Sequence, residues 1–528
     1  MSAPCLVTHG KRRTLCAINF LRRMEMELRK IVTVKRIIGM VACVAAGLMF
    51  LTAPIVADAL EFKESLKLYP PAEKGWMSLG KSIKFSLDLT HMVFIASRDK
   101  KFAVVFDGKL GPSFDAIGQE TPIFSPDGKH IAYKAKKGNT WRILVGNKEQ
   151  AAYENVSRPL FSPDSARVLY LGQKKDEKQC AVIDGREAGC FDSFLPNILK
   201  FSADSTRWTA IAINKKKMVA VVDGQGGSAY EDITVPIFSP DSRRVAYTAQ
   251  RDKKWRIVVD GKEGASICDQ ITFLTFSPDS RHVYYSIQKG EKWLMVTDDK
   301  EGPASDGFGA PLFSPDGKHM SQGVLRDKKL SMISDGREEK PYDALLFMKY
   351  SPNSKKFAYN ARKGKEWVMV VDAKEEKAYD LVEEPVFSSD SNHLGYVAQR
   401  GGKWFIVMDG LEGTPYTKVS IPLFSPDGRH FCYIAQKEGI LVLVTDGKEG
   451  PAFAQILNVH WSSDSRHLAY FVESLNRWSV CVDGQMAKNT FDGFLVGTDL
   501  IFVTPERLRA LALKHGPEFI RYEIEITK

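Results

Sequence analysis

The feature that most constrains this chain is a unit of about 37 residues that recurs along most of its length. Each copy carries an aromatic residue just before a turn of the Ser-Pro-Asp type, and we call these aromatic residues the anchors. Successive anchors are 37 residues apart in seven of ten intervals and never more than 40 apart. So regular a spacing indicates a repeat architecture. The anchors are Phe85, Phe124, Phe161, Phe201, Phe238, Phe276, Phe313, Tyr350, Phe387, Phe424 and Trp461.

The copy at residues 238–264, FSPDSRRVAYTAQRDKKWRIVVDGKEG, shows what a unit contains. Apolar residues fall on every second position around Tyr247 and again around Ile257, which is the period of a half-buried strand. Pro240 with Asp241, and Asp260 with Gly261, supply turn chemistry between these runs. Each unit is therefore predicted to be a small antiparallel sheet.

Three further columns keep the same register, so the repeat is not chance patterning. An Asp-Gly turn recurs in most copies, and units made only of strands at this spacing favour β-propeller blades over helical solenoids. Nine positions after the anchor stands an aromatic residue in most copies: Phe94, Tyr133, Tyr170, Tyr247, Tyr285, Tyr359, Tyr396, Tyr433 and Tyr470. Seventeen positions after it stands the tryptophan column: Trp141, Trp255, Trp293, Trp367, Trp404 and Trp478, with Phe102 in the first copy.

The two ends of the repeat region predict how the blades close. Residues 76–85 resemble the fourth strand of a unit, and the tail after Thr498 offers three apolar runs without a fourth. A propeller leaves such remainders when its last blade is shared between chain ends, which makes twelve blades. Because propellers usually have about four to eight blades, we predict two six-bladed propellers in tandem, at residues 60–299 and 300–528. The alternatives are one very large ring, or a nested pair with another boundary.

The repeat FSPDGKHIAYKA at residues 124–135, followed by WRIVVDG at residues 255–261, resembles the propeller repeats of TolB and related WD-repeat-like proteins of the bacterial envelope. The resemblance covers residues 75–528 and implies the architecture rather than an activity. The separate N-terminal α/β domain of TolB is missing, which puts a Tol-Pal role in doubt. The Gly-x-Ser-x-Gly elbow of the related propeller peptidases is missing too.

Residues 1–59 are predicted to be a targeting segment. Arg29, Lys30, Lys35 and Arg36 precede the uncharged run 37–57, and Ala57-Asp58-Ala59 has the form of a signal-peptidase site. We expect cleavage near Leu60 and a periplasmic or secreted protein. The alternative is an uncleaved inner-membrane anchor at residues 37–57, because 21 uncharged residues can span a bilayer. Met24 and Met26 are alternative starts of translation to Met1.

Charge and cysteine content fit an exported protein. The formal charge is +10, but residues 1–59 hold nine Lys or Arg and three acidic residues, which leaves +4 for the remainder. So dispersed an excess predicts no nucleic-acid binding. Cys180 and Cys190 flank the hairpin CAVIDGREAGC, where a three-residue loop makes them face each other, so a disulfide is predicted. The spacing of cysteines and histidines predicts no zinc site.

Three sets of repeated residues could carry chemistry, and each has a simpler structural explanation. Seven histidines lie six positions after an anchor, where other copies have Arg or Lys, which suits a polar turn residue better than a metal ligand. The aspartates of the Ser-Pro-Asp turns suit turn capping better than calcium, which needs several converging oxygens. The tryptophan column suits packing better than sugar stacking. We therefore predict no catalytic, cofactor-binding or metal-binding residues.

What remains is the surface of a rigid propeller, whose loops commonly bind partners. The loops between the second and third strands are charged, which suits a protein or polyanionic partner. The sequence predicts an exported, non-enzymatic scaffold for an envelope protein, peptide or glycan. The alternative is a propeller enzyme, a lyase or hydrolase, with its site in a central funnel. In that case carboxylates or histidines without a counterpart in other repeats should converge there.

Overall fold

The computed structural model describes residues 60–69, 75–495, 499–514 and 518–527, and within them the fold is almost entirely β. Twelve antiparallel sheets follow one another along the chain, and we number them sheet 1 to sheet 12. Each sheet has four strand positions, and in nine sheets the first position is split into two short pieces that both pair with the second strand. The prediction of a β-propeller with about twelve four-stranded blades is confirmed.

The first six sheets are formed by consecutive strands of the N-terminal half of the chain. Sheet 1 contains Met77–Ser78, Lys84–Phe85, Met92–Arg98, Lys101–Phe106 and Lys109–Phe114; sheet 2 contains Ala116–Ile117, Ile123–Phe124, Ile131–Lys137, Thr140–Val145 and Lys148–Tyr153. Sheet 3 contains Asn155–Val156, Leu160–Phe161, Val168–Gln173, Gln179–Ile183 and Arg186–Phe191; sheet 4 contains Ser193–Phe194, Lys200–Phe201, Trp208–Asn214, Lys217–Val222 and Gln225–Tyr230. Sheet 5 contains Asp232–Ile233, Ile237–Phe238, Val245–Arg251, Lys254–Val259 and Lys262–Glu263; sheet 6 contains Gln270–Phe276, Val283–Lys289, Lys292–Thr297 and Lys300–Ser305.

The remaining six sheets continue the pattern, and a short 3-10 helix, Gly80–Ser82, lies inside the first strand position of sheet 1. Sheet 7 contains Gly307–Phe308, Leu312–Phe313, Met320–Arg326, Lys329–Ser334 and Arg337–Glu338; sheet 8 contains Ala344–Tyr350, Phe357–Lys363, Glu366–Val371 and Lys374–Tyr379. Sheet 9 contains Leu381–Val382, Val386–Phe387, Leu394–Arg400, Lys403–Met408 and Leu411–Glu412; sheet 10 contains Lys418–Val419, Leu423–Phe424, Phe431–Lys437, Ile440–Thr445 and Lys448–Phe453. Sheet 11 contains Gln455–Trp461, Leu468–Ser474, Arg477–Val482 and Gln485–Met486; sheet 12 contains Gly493–Phe494, Ile501–Thr504, Arg507–Lys514, Glu518–Ile526 and Phe62–Leu68.

The local predictions hold in detail. Every anchor is the last residue of a first strand, and the turn after it leads into the second strand. The Asp-Gly turns join the third strand to the fourth, with positive φ angles at both residues, as in Asp260 (50°) and Gly261 (77°). Such angles suit a two-residue hairpin turn, because its twist matches that of the flanking strands.

The strand shared between the chain ends is not the one we predicted. Residues 76–85 supply the first strand of sheet 1, paired with Met92–Arg98, and not the fourth strand of another sheet. The shared strand is Phe62–Leu68, which pairs with Glu518–Ile526 along its whole length. This segment has no anchor or turn motif of the repeat, so the repeat pattern did not reveal it.

The domain boundary predicted between residues 299 and 300 lies within sheet 6. Lys300–Ser305 is hydrogen-bonded to Lys292–Thr297 as the fourth strand of the same sheet. The chain therefore crosses this boundary inside a hairpin, because the fourth strand finds its partner next to it in sequence.

Contacts between sheets run in chain order and return to the start. Sheet 12 packs against sheet 1, where the rings of Phe85 and Phe519 are 5.4 Å apart and Arg509 donates to the carbonyl of Asp88 at 2.5 Å. Sheet 6 packs against sheet 7, with Tyr284 and Phe313 ring centroids 5.0 Å apart. The division into two propellers at residues 60–299 and 300–528 stays a prediction.

Buried apolar clusters lie between neighbouring sheets and make up the core. A representative cluster joins Val397 and Ile406 of sheet 9 to Tyr433 and Val442 of sheet 10. Among the described residues, no helix is long and apolar enough to cross a membrane. The predicted targeting segment at residues 1–59 lies outside the described residues.

Candidate functional site

Equivalent turns of neighbouring sheets lie side by side, so the array of sheets has two distinct faces. On one face the N–H of Asp127 donates to Ser165 Oγ at 2.9 Å, which joins the first turns of sheets 2 and 3. On the other face Gly138 N–H donates to Asp115 Oδ2 at 2.7 Å. We call this second face, formed by the turns between second and third strands, the hairpin face.

The hairpin face carries many lysines, and several of those in sheets 2–4 form no ion pair within the described part of the chain. The turns of sheets 2 and 4 contain no acidic residue, whereas the longer turn of sheet 3 contains Asp176 and Glu177. Five exposed lysines of these turns form no ion pair with any residue that the structure describes, and we call them the lysine sector. They are Lys137, Lys175, Lys178, Lys215 and Lys216.

Elsewhere on the hairpin face, charges of both signs alternate or pair. The turns of sheets 5 and 7 place Asp252 beside Lys253 and Asp327 beside Lys328. Lysines that begin third strands pair with the linker to the next sheet, as Lys292 does with Asp306 at 2.6 Å. Charges of both signs therefore occur over much of this face, and the turns of sheets 2, 4, 9 and 11 differ because they contain no acidic residue.

A cavity of about 650 Å³ opens beside the lysine sector, between the first strands of sheets 2, 3 and 4. Its size is within the range of small-ligand sites, roughly 300–1,000 Å³. Its floor is apolar, made by Leu171, Phe194 and Leu199 among others. Its walls are mostly uncharged and polar, with one cation and one carboxylate: Asn155, Ser157, Gln173, Gln179, Asn197, Arg158 and Glu120.

The cavity exists where the tryptophan column is interrupted. Gln179 pairs with Gln173 on one side and Phe191 on the other. Trp255 of sheet 5 holds the same place between Gln250 and Cys268. A tryptophan ring fills this space in other sheets, but sheet 3 has an amide there. The sequence contained this signal, since the column lacks a tryptophan in the third copy, but it gave no reason to expect a cavity.

Six of the seven repeated histidines pair with the aspartate that begins the turn between the third and fourth strands; His130 does not, because sheet 2 has Gly146 at that position. His319 Nδ1 lies 2.7 Å from Asp335 Oδ2, and the other oxygen of Asp335 accepts from the backbone N–H of Met320 at 2.9 Å. In sheets 3, 4 and 5 an arginine replaces the histidine and keeps the contact, as Arg244 does with Asp260 at 3.0 Å. An interchange that preserves one hydrogen bond indicates that these residues hold the turn in place.

The aspartates of the Ser-Pro-Asp turns bind their own turns. Ser239 Oγ donates to Asp241 Oδ1 at 2.5 Å, and the N–H of Arg243 donates to the same oxygen at 3.1 Å. In sheet 4 the hydrogen bond from Ser202, helped by the N–H of Thr206, lowers the pKa of Asp204 to about 2. Each turn thus satisfies its carboxylate locally, which is the capping role expected of a turn aspartate.

Cys180 and Cys190 lie opposite each other on the third and fourth strands of sheet 3 and are joined by a disulfide. With Glu187 they form the only group of three metal-ligand side chains within 4.8 Å of one another among the described residues. Both sulfurs are bonded to each other, so this group offers a metal no thiolate. Cys268, Cys432 and Cys481 are buried and unpaired.

Comparisons with known proteins give matches of fold only. No protein-family model and no curated protein matches the chain. A crystal structure of the eukaryotic initiation factor is 15% identical, with 62% of this chain and 96% of that chain covered and a TM-score of 0.31. TolB from Acinetobacter baumannii is 16% identical, with 48% and 77% covered and a TM-score of 0.22.

A third similar structure is the β-propeller domain of Cps50 (Swd1) from Myceliophteria thermophila, 12% identical over 50% of this chain and 98% of that chain, with a TM-score of 0.22. These matches support the resemblance to TolB and WD-repeat-like propellers at the level of the fold alone. At these identities and scores, the neighbours carry no argument about function, export or partners.

Proposed function

We propose that the protein is an exported, non-enzymatic propeller scaffold that binds an anionic partner of the cell envelope at the lysine sector. The observation that carries this proposal is the group of five exposed lysines on adjacent turns that form no ion pair with any described residue. Asp176 and Glu177 lie in the middle turn and lower its net charge. Unpaired charges of one sign on a rigid surface create a potential that attracts and orients an oppositely charged partner.

The rigidity of the turns adds to the case. Each turn joins two strands of five to seven residues, and the second strands of these sheets are largely buried. Hydrogen bonds from backbone N–H groups to side-chain carboxylates fix the turns. Lys215 N–H donates to Asp192 at 2.7 Å, and Gly138 N–H donates to Asp115 in the same way. A partner therefore meets charges whose spacing is already fixed, which lowers the entropic cost of binding.

A polyanion of known composition tests the binding surface. We expect the protein to be retained on heparin resin at low salt, and the variant with all five lysines of the sector changed to Gln to elute at clearly lower salt. The matched control changes five lysines elsewhere on the same face to Gln: Lys100, Lys253, Lys328, Lys365 and Lys403. No retention of the wild type, or an equal loss in both variants, would overturn the proposal.

Export is tested separately by the intact mass of the protein from fractionated cells, without reduction and after crosslinking. We expect a mature chain that begins near Leu60, a disulfide between Cys180 and Cys190, and crosslinks from the lysine sector to an envelope component. A full-length chain in the cytoplasm would overturn the export part of the proposal, regardless of retention on heparin resin.

The alternative of a propeller enzyme lacks the feature that would favour it. The histidine and aspartate pairs recur from sheet to sheet with one geometry, and arginine replaces histidine in three of them. Residues of a catalytic site would depart from the repeat, because only one sheet needs them. The departures in sheets 2–4 are lysines and amides, which suit binding.

A further inference from the structure

We propose that the cavity between sheets 2, 3 and 4 binds a saccharide unit that carries a carboxylate. This inference deepens the proposed function and rests on it for the source of the ligand, an acidic glycan of the envelope. The cavity itself indicates the chemical class, because its walls combine free amide groups with the guanidinium of Arg158 and the carboxylate of Glu120 above an apolar floor.

The hydrogen bonds already made in the cavity leave mainly N–H donors free. Gln179 Oε1 accepts from the N–H of Phe194 at 2.8 Å, and Asn155 Oδ1 accepts from Lys134 Nζ at 2.8 Å. The NH₂ groups of both amides therefore remain. Within the described residues, the side chains of Gln173 and Asn197 make no hydrogen bond, so both amides are free to donate and accept.

This donor-rich lining selects the ligand. Sugar hydroxyls match amides because both donate and accept, and a carboxylate is the group that accepts from several N–H donors at once. Arg158 lies at the rim, 3.8 Å from Glu120, which leaves much of its guanidinium free. The apolar floor made by Leu171, Phe194 and Leu199 suits the C–H face of a pyranose ring.

Galacturonic acid is the probe for the test, with galactose as the matched sugar that lacks the carboxylate. We expect saturable binding of galacturonic acid, followed by NMR or calorimetry, and binding of galactose weaker by about tenfold or more, since a hydrogen bond to a charged group is stronger than one between neutral groups. No binding of galacturonic acid, or equal binding of the two sugars, would overturn the inference.

Gln179→Trp is the sharpest variant because it restores the residue that six other sheets carry at this position. We expect it to fold, to fill the cavity and to abolish sugar binding. Asn197→Gly is the second variant, chosen because glycine tolerates the positive φ of 62° at this exposed position, and it should weaken binding about fivefold. The control is Gln250→Ala, which removes the amide equivalent to Gln173 from sheet 5, where Trp255 fills the space; it should bind as the wild type does.

The two proposals fail in different ways. If the Gln179→Trp variant no longer binds galacturonic acid but is still retained on heparin resin, the cavity and the lysine sector bind their ligands independently, as proposed. If the variant with all five lysines of the sector changed to Gln elutes from the resin at lower salt but still binds galacturonic acid, the same conclusion follows. Retention on heparin without any binding of galacturonic acid would leave the proposed function standing and overturn the saccharide site.

Discussion

The junction between sheets 6 and 7 differs from the junction between sheets 7 and 8, although both are built from the same repeat. At the second junction Tyr342 and Tyr359 meet edge to face, 6.3 Å apart, within a buried apolar cluster. At the first junction the same two positions hold Ser305 and Gln322, both buried. Among the described residues, no buried apolar cluster joins sheets 6 and 7.

The polar junction is held by hydrogen bonds of these two side chains and by the ring contact between Tyr284 and Phe313. Ser305 Oγ donates to the carbonyl of Gly307, and Gln322 Nε2 donates to the carbonyl of Gly309 at 2.6 Å. At the apolar junction, by contrast, Tyr342 O–H reaches across to Glu375 at 2.9 Å. Burial of aromatic surface stabilises more than an exchanged hydrogen bond, so we infer that the junction between sheets 6 and 7 is weaker than the junction between sheets 7 and 8.

The largest expected effect comes from removing the aromatic ring at the apolar junction. Tyr359→Ala should lower the free energy of unfolding by about 3–5 kcal/mol, because it leaves a cavity at a fully buried position. Gln322→Ala at the same position of sheet 7 should cost only about 1 kcal/mol, the value of one hydrogen bond. Urea unfolding measures the free energy of both variants. Equal losses of stability would contradict the inferred difference between the two junctions.

The second prediction concerns local opening without mutation. We expect backbone amides of Met320–Arg326 to exchange with deuterium about tenfold faster than those of Leu394–Arg400, which corresponds to about 1.4 kcal/mol. Both strands occupy the second position of their sheets, so the comparison is matched. Equal protection would show that polar contacts hold the first junction as firmly as apolar ones.

A smaller effect should follow from the hydroxyl alone. Tyr342→Phe keeps the ring and removes the hydrogen bond to Glu375, so the free energy of unfolding should fall by about 0.5–1.5 kcal/mol. Phe114→Tyr tests the reverse change, because it adds a hydroxyl at the equivalent place in sheet 1. If Tyr342→Phe costs as much as Tyr359→Ala, the hydrogen bond and not the aromatic surface dominates the junction.

The smallest expected effect is a dependence on pH. The ammonium groups of Lys340 and Lys363, with the Tyr342 hydroxyl, lower the pKa of Glu375 to about 2 from its ordinary 4.5. The stabilisation from this depressed pKa is complete above about pH 4.5 and is lost as the pH falls towards 2. Unfolding midpoints between pH 5 and 2 should therefore decline less in Glu375→Gln than in the wild type. An identical decline would exclude the carboxylate as a cause.

Local interactions explain why so much of the fold follows from the sequence. Each anchor ends a first strand and each Asp-Gly pair turns a hairpin, because alternation and turn chemistry act within one unit. Cys180 lies opposite Cys190 as predicted, but not through a three-residue loop. Ile183 pairs with Arg186 across a two-residue loop, and a β-bulge between Cys180 and Val182 brings the two cysteines opposite each other. The sequence also shows that Gln322 interrupts the aromatic column. That this interruption makes a polar junction follows only from the structure, where Ser305 of the neighbouring sheet is buried at the matching position.

The sequence by itself therefore determined the repeat unit, the number of sheets and the position of nearly every strand. Only the tertiary structure decided which segment closes the last sheet, because Phe62–Leu68 lacks the repeat motif and finds its partner, Glu518–Ile526, more than 450 residues away. It also decided where the cavity opens. A missing tryptophan leaves space only if neighbouring sheets do not fill it, and that depends on side chains brought together by packing.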